Sequence, residues 1–199
     1  MRPLRHHLLV IIGTTFLFLV TLVLNEWLFK HTKFASNINW IYLPAGMRVI
    51  CTLLFGAMGA IGIFIASWIG CIFYFFPGDP MRCFFGGIVS ALAPYLVYVF
   101  AKRALGLRAS LSNLTARRLL LLILMYSFAS PALLTLSGGL DHAGTRFLVM
   151  FVGDLSGTLI VIYMIKLGLR IISLTYSGTG RASASDERPK HAKRLGRMQ

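Results

Sequence analysis

Acidic residues are scarce in this chain. Among its 199 residues stand 6 Asp and Glu against 20 Lys and Arg, and charged residues of both signs make up only 13%. With 57% hydrophobic residues the chain has too little polar surface to face water on all sides, so lipid is the expected solvent for most of it. Cysteine is as sparse. Cys51, Cys71 and Cys83 lie in or at the edge of separate apolar runs, with no Cys-x-x-Cys and no His at metal-ligand spacing. That argues against a metal site and a structural disulfide, and leaves three free thiols acting as small hydrophobes as the expectation. Catalytic signatures are missing as well: there is no HExxH, no GxSxG, no Walker loop and no Cys/His pairing. No enzyme activity and no cofactor are expected.

What the chain has instead is apolar length. A hydrocarbon core of roughly 30 Å takes about 20 helical residues to cross. Runs of that kind predict an all-α, polytopic transmembrane bundle of about six helices, at residues 8–29, 41–56, 57–76, 81–100, 119–136 and 146–170. Arg2 and Arg5 ahead of the first run imitate a secretory signal, but the run is too long and Asn25-Glu26-Trp27 is no small-x-small cleavage site, so it reads as a retained span. The second helix is short and is entered through Trp40 and Tyr42, with Pro44 suited to its first turn. Gly62, Ala66 and Gly70 recur at four-residue spacing and predict a helix-packing seam, and Gly153 and Gly157 predict another close approach.

Charge sets the expected orientation. With the N-terminus inside, the inner segments hold Arg2, Arg5, Lys102, Arg103, Arg108, Arg117, Arg118, Lys166, Arg170 and six basic residues of the tail, and the outer segments only Lys30, Lys33, Arg82 and Arg146. Both termini are therefore expected in the cytoplasm, with a membrane domain over 1–172 and a disordered basic tail over 173–199, which lacks the large apolar residues needed to fold alone. The tail and the acid-free 101–118 loop suit anionic lipid. Nucleic acid is not an expected partner, because no base-reading module is present and topology already uses most of the positive charge.

Arg48 fits neither side. An Arg inside a span costs about 2.5 to 3.5 kcal/mol on insertion scales unless it is paired or hydrated. Asp154 has the same difficulty in the sixth span. Each lies eight residues past its expected outer boundary, Trp40 and Arg146 respectively, which places both roughly 12 Å below the outer surface and predicts an Arg48–Asp154 ion pair. Glu26, Trp40 and Tyr42 are candidates to line an outward-facing polar cavity around that pair. His142 beside Asp141 reads as a solvated loop residue, and Lys166 as a snorkelling one.

Trp40-Ile41-Tyr42-Leu43-Pro44-Ala45-Gly46, with Leu54-Phe55-Gly56 and Gly62-Ile63-Phe64, and then Gly153-Asp154-Leu155-Ser156-Gly157, resemble the membrane-associated sensor (MASE) domain family, first type. The resemblance covers residues 37–76 and 147–165 and implies a sensory, ligand-responsive module of a bacterial inner membrane. Members of that family are longer, typically with eight spans, and are usually fused to kinase or cyclase output domains. For this chain the resemblance implies signalling through a separate kinase or cyclase, and a homo-oligomer is a further expected assembly. A small solute transporter or substrate-binding subunit is the competing expectation, since short Gly/Pro-interrupted segments mark transporter sites.

Overall fold

The computed structural model describes residues 2–29, 33–35, 38–106, 114–136 and 143–195, with side chains over 4–29, 40–106, 114–136 and 144–173. Six α-helices carry the fold: α1 (Arg2–Leu28), α2 (Leu43–Phe55), α3 (Ala57–Gly70), α4 (Pro80–Ala104), α5 (Ala116–Leu136) and α6 (Ala143–Leu195). Two short strands, β1 (Lys33–Ala35) and β2 (Ile38–Asn39), pair antiparallel between α1 and α2. Among the described residues, five helical segments are long and apolar enough to cross a membrane, and α2 is a shorter apolar helix of 13 residues. The molecule is a multi-pass helical membrane protein, as the hydropathy pattern requires.

The chain divides into two compact units, residues 1–161 and 162–199. In the second, the backbone is helical through Leu195, where an unstructured tail is expected from residue 173. A helix already nucleated in the apolar stretch extends without the cost of a new nucleus, and this works against the low helix propensity of Gly178, Gly180 and Pro189.

Contacts within the first unit fix the direction of each helix. Thr15 Oγ1 donates to Gly62 O at 3.1 Å, Gly70 packs toward Leu22, and Tyr74 Oη donates to Glu26 at 2.8 Å. These pairs keep a near-constant offset, so α1 and α3 run parallel, and α2 must return the chain between them. Leu43 N donates to Asn25 Oδ1 at 2.8 Å, which sets the start of α2 at the level of Asn25. By the same offset its end meets α3 near the level of Leu9. Sixteen residues of α1 cover roughly 24 Å and the 13 residues of α2 roughly 20 Å, so α2 traverses nearly the same depth as its neighbour and is no re-entrant loop. Gly56, at φ 57°, makes the reversal into α3.

The turn after α3 holds the largest departure from expectation. Cys71 and Cys83 form a disulfide, with Cα atoms 5.3 Å apart, and among the cysteines only Cys51 is free. This corrects the expectation of three free thiols. The two cysteines stand symmetrically about Pro77, and the 77–80 turn folds α4 antiparallel onto α3, so residues equidistant from the turn meet. Ser67 and Ser90 hydrogen-bond at 2.7 Å further along the same antiparallel pair. Asp79 caps α4 by accepting from Arg82 N at 3.0 Å, and Pro80 sits in its first turn. A maleimide assay on chain unfolded without reductant should therefore label one thiol, and three after reduction. Cys71→Ser should lower the melting temperature, because closing a loop of this size contributes about 3 kcal/mol in the chain-entropy account.

Candidate ligand cavity inside the bundle

Between the helices lies a cavity of about 210 Å³. Phe18 and Leu22 reach it from α1, Arg48 from α2 with Tyr42 just before it, and Ser67 from α3. A five-residue π-helical segment, Cys71–Phe75, continues α3 and adds Cys71 and Phe75 to the wall. Gly86, Val89 and Ser90 form one face of α4 at helical spacing, Ser130 and Leu134 come from α5, and Met150 and Asp154 from α6. All six helices contribute, at the end of the bundle where α1 and α3 finish.

Arg48 is held by its helix and by aromatic rings. Helical side chains lean toward the N-terminus, so the guanidinium is directed back toward Tyr42. Nη2 donates to Tyr42 Oη at 3.2 Å, and the guanidinium carbon lies 5.3 Å from the ring centroids of both Tyr42 and Phe18. Such cation–π contacts partly replace lost hydration. Tyr126 Oη lies beside the guanidinium outside hydrogen-bond geometry, and Arg48 Nε is buried with no hydrogen-bond partner. Asp154 is 3% exposed; the Ser130 hydroxyl faces its carboxylate, and Oδ2 has no hydrogen-bond partner.

Arg48 and Asp154 thus share a cavity without closing on each other. The equal depth expected for them fails because the true register between α2 and α6 differs from the one their boundaries suggested. Ser156 Oγ donates to Trp40 O at 3.1 Å, Tyr42 N donates to Gly153 O at 3.1 Å, and Gly46 packs against Thr158 and Val161. The helices run parallel with Asp154 near the level of Ile41, about 10 Å along the axis from the Arg48 backbone. Arg48 closes part of that gap by reaching toward its N-terminus.

Of the other expected lining residues, Tyr42 is in the wall and Glu26 and Trp40 are not. Glu26 is bound by Tyr74, and Trp40 meets α6 through its carbonyl. The packing glycines lie where small residues are needed. Gly62 faces Thr14 and the Ile11 carbonyl, Ala66 is fully buried, Gly70 meets Leu22, and Gly157 abuts the Tyr42 carbonyl. His142 and Asp141 lie outside the described residues. Among the described residues no group of three or more His, Cys, Asp or Glu could hold a metal. Residue-by-residue reading missed Tyr126, which is fully buried between the core of α4 and α5 and Arg48, and it missed Ser130 as the partner of Asp154. The available signal was a pair of hydroxyl residues, Ser127 and Ser130, placed mid-span one helical turn apart.

Fold and cavity together define a polytopic α-helical membrane protein with a partly open, mostly apolar cavity between its helices that carries Arg48 and Asp154 in its wall. Comparison with family models, curated proteins and solved structures finds no match to the chain. A cation and an anion lining one cavity, each with an unpartnered buried atom, suit binding; they do not form a nucleophile-and-base pair.

Proposed function

We propose that the chain is a membrane sensor module of the MASE type in a bacterial inner membrane, whose cavity takes a small ligand from the outer side and passes its occupancy to a separate cytoplasmic partner. One observation carries this reading. The two short segments on which the resemblance rests pack against each other through Trp40–Ser156, Tyr42–Gly153 and Tyr42–Gly157, and between them they supply Tyr42, Arg48 and Asp154 to the cavity. Conserving stability alone does not call for two bare ionisable atoms in one chamber. The Cys71–Cys83 disulfide supports the orientation independently, because disulfides persist on the oxidising side of a bacterial membrane and these cysteines lie at the end the charge count places outside. The basic 101–118 segment would then face the cytoplasm, available to anionic lipid and to a kinase or cyclase.

The test is a thermal-shift screen of small solutes on the purified chain, with Gly86→Leu as the blocked control. A Cβ at Gly86 meets nothing within 4 Å, so the variant should fold while filling the chamber. A ligand at 100 times its dissociation constant should stabilise the native chain by about 2.7 kcal/mol and leave Gly86→Leu unmoved. A solute that shifts both equally, or a screen in which none acts, argues against a receptor.

A second reading has its own support. The short α2, the Gly56 break and the π-helical segment at Cys71–Phe75 surround the charged chamber, and interrupted helices beside buried charge are the usual build of a transporter site. Solute accumulation in liposomes containing the purified chain would favour transport.

A further inference from the structure

The class of ligand follows from the charges left open in the wall. Resting on the receptor reading above, we infer that the cavity binds a small zwitterion with an apolar body, of which a leucine-like amino acid is the simplest form. Arg48 Nε and Asp154 Oδ2 are both buried and both without a hydrogen-bond partner, and both residues line the same chamber. An unsatisfied buried donor and acceptor each carry a desolvation cost that a suitable ligand removes. One cation and one anion make the chamber neutral when empty. A lone carboxylate bound to Arg48 would leave it with net negative charge in a low-dielectric interior, and a lone amine bound to Asp154 would leave it net positive. A zwitterion answers both groups and keeps the sum at zero: its carboxylate pairs with the Arg48 guanidinium, and its ammonium with the Asp154 carboxylate.

Size and lining narrow the body. The volume of about 210 Å³ lies below the usual range for drug-sized ligands, about 300–1,000 Å³, so the occupant is nearer to an amino acid than to a nucleotide. Leu22, Phe75, Val89, Leu134 and Met150 make much of the remaining wall apolar, beside the hydrogen-bonded hydroxyls of Ser67 and Ser90. An aliphatic side group fits that apolar part of the surface.

The experiment compares three probes of matched body on the full chain in lipid nanodiscs by titration calorimetry: L-leucine, isocaproate with the carboxylate alone, and isoamylamine with the ammonium alone. L-leucine should bind saturably and at least tenfold more tightly than either. Asp154→Asn, which preserves shape, should lower leucine affinity to that of isocaproate, and Arg48→Gln should lower it to that of isoamylamine. Gly86→Leu, which leaves both charges in place, should abolish binding of all three. Isocaproate or isoamylamine binding as tightly as leucine would overturn the zwitterion assignment, as would leucine affinity unchanged in Asp154→Asn. If none of the three binds but another solute stabilises the chain in a Gly86-dependent way, the ligand class is wrong and the receptor reading stands. If no solute acts at all, the receptor reading falls with it.

Discussion

Gly157→Ala should abolish most of the folded yield of this protein. A Cβ at that position would overlap the carbonyl oxygen and carbon of Tyr42 and come within 2.9 Å of Leu43 N. These are backbone atoms and cannot rotate away. They are also pinned, because Tyr42 N donates to Gly153 O at 3.1 Å, Leu43 N to Asn25 Oδ1 at 2.8 Å, and Ser156 Oγ to Trp40 O at 3.1 Å. Moving the segment far enough to accept one methyl group breaks these bonds together, so the cost should exceed the usual overpacking penalty of about 1–3 kcal/mol. Gly13→Ala is the matched control. Nothing lies within 4 Å of its Cβ, and Ala favours a helix over Gly by about 1 kcal/mol, so its melting temperature should hold or rise. Fluorescence-detected size exclusion and a thermal melt in the same detergent separate the two results. Equal behaviour of both variants would show that α6 does not approach Tyr42 this closely.

The second large effect is expected at Arg48. Arg48→Met removes the only cation among the described residues of the chamber wall and leaves Asp154 buried without a counter-charge, a change that typically costs about 3–5 kcal/mol. Asp154→Leu should cost a similar amount by stranding the guanidinium. The double variant Arg48→Met with Asp154→Leu leaves neither charge behind, so its loss should be smaller than the sum of the two, with a coupling of at least about 1 kcal/mol measured by thermal or denaturant unfolding. Exchanging the charges, Arg48→Asp with Asp154→Arg, should recover little. The two positions are not equivalent: the guanidinium at 48 rests on the Phe18 and Tyr42 rings, and position 154 sits near the level of Ile41 beside the pinned backbone. Full rescue by exchange would show a simple ion pair in place of the open arrangement described here. Full additivity in the double variant would show two independent sites.

These two predictions mark the division between what could be read residue by residue and what could not. Arg48 and Asp154 were legible as a pair of misplaced charges, because a charge inside an apolar run is anomalous whatever it touches. That they face one chamber followed. Their relative depth did not, since it was measured from guessed span boundaries, and the contact of Ser156 with Trp40 moves α6 along α2 by several residues. Gly157 was legible as a small residue at an interface, but not as the site where a helix meets the backbone entering α2. Cys71 and Cys83 belong to separate apolar runs, yet their equal distance from Pro77 already holds the information that an antiparallel turn would join them. Glu26 is expected at the cavity from its place near the outer end of the first span and Trp40 from its aromatic ring, and neither property says which way a side chain points.

The sequence by itself determined the solvent of this protein, the number of its helices, the short second helix begun by Pro44 and the two charges that need an explanation. All of these depend on composition and on runs along one segment, where the free energy is local and can be summed residue by residue. Only the tertiary structure decided that α2 traverses the bundle, that Cys71 bonds Cys83, that Gly157 carries the Tyr42 carbonyl, and that Arg48 and Asp154 stand apart around a shared cavity. Each of those depends on the register between helices, which is set by the packing of whole faces in which the decisive contacts join residues far apart in the chain.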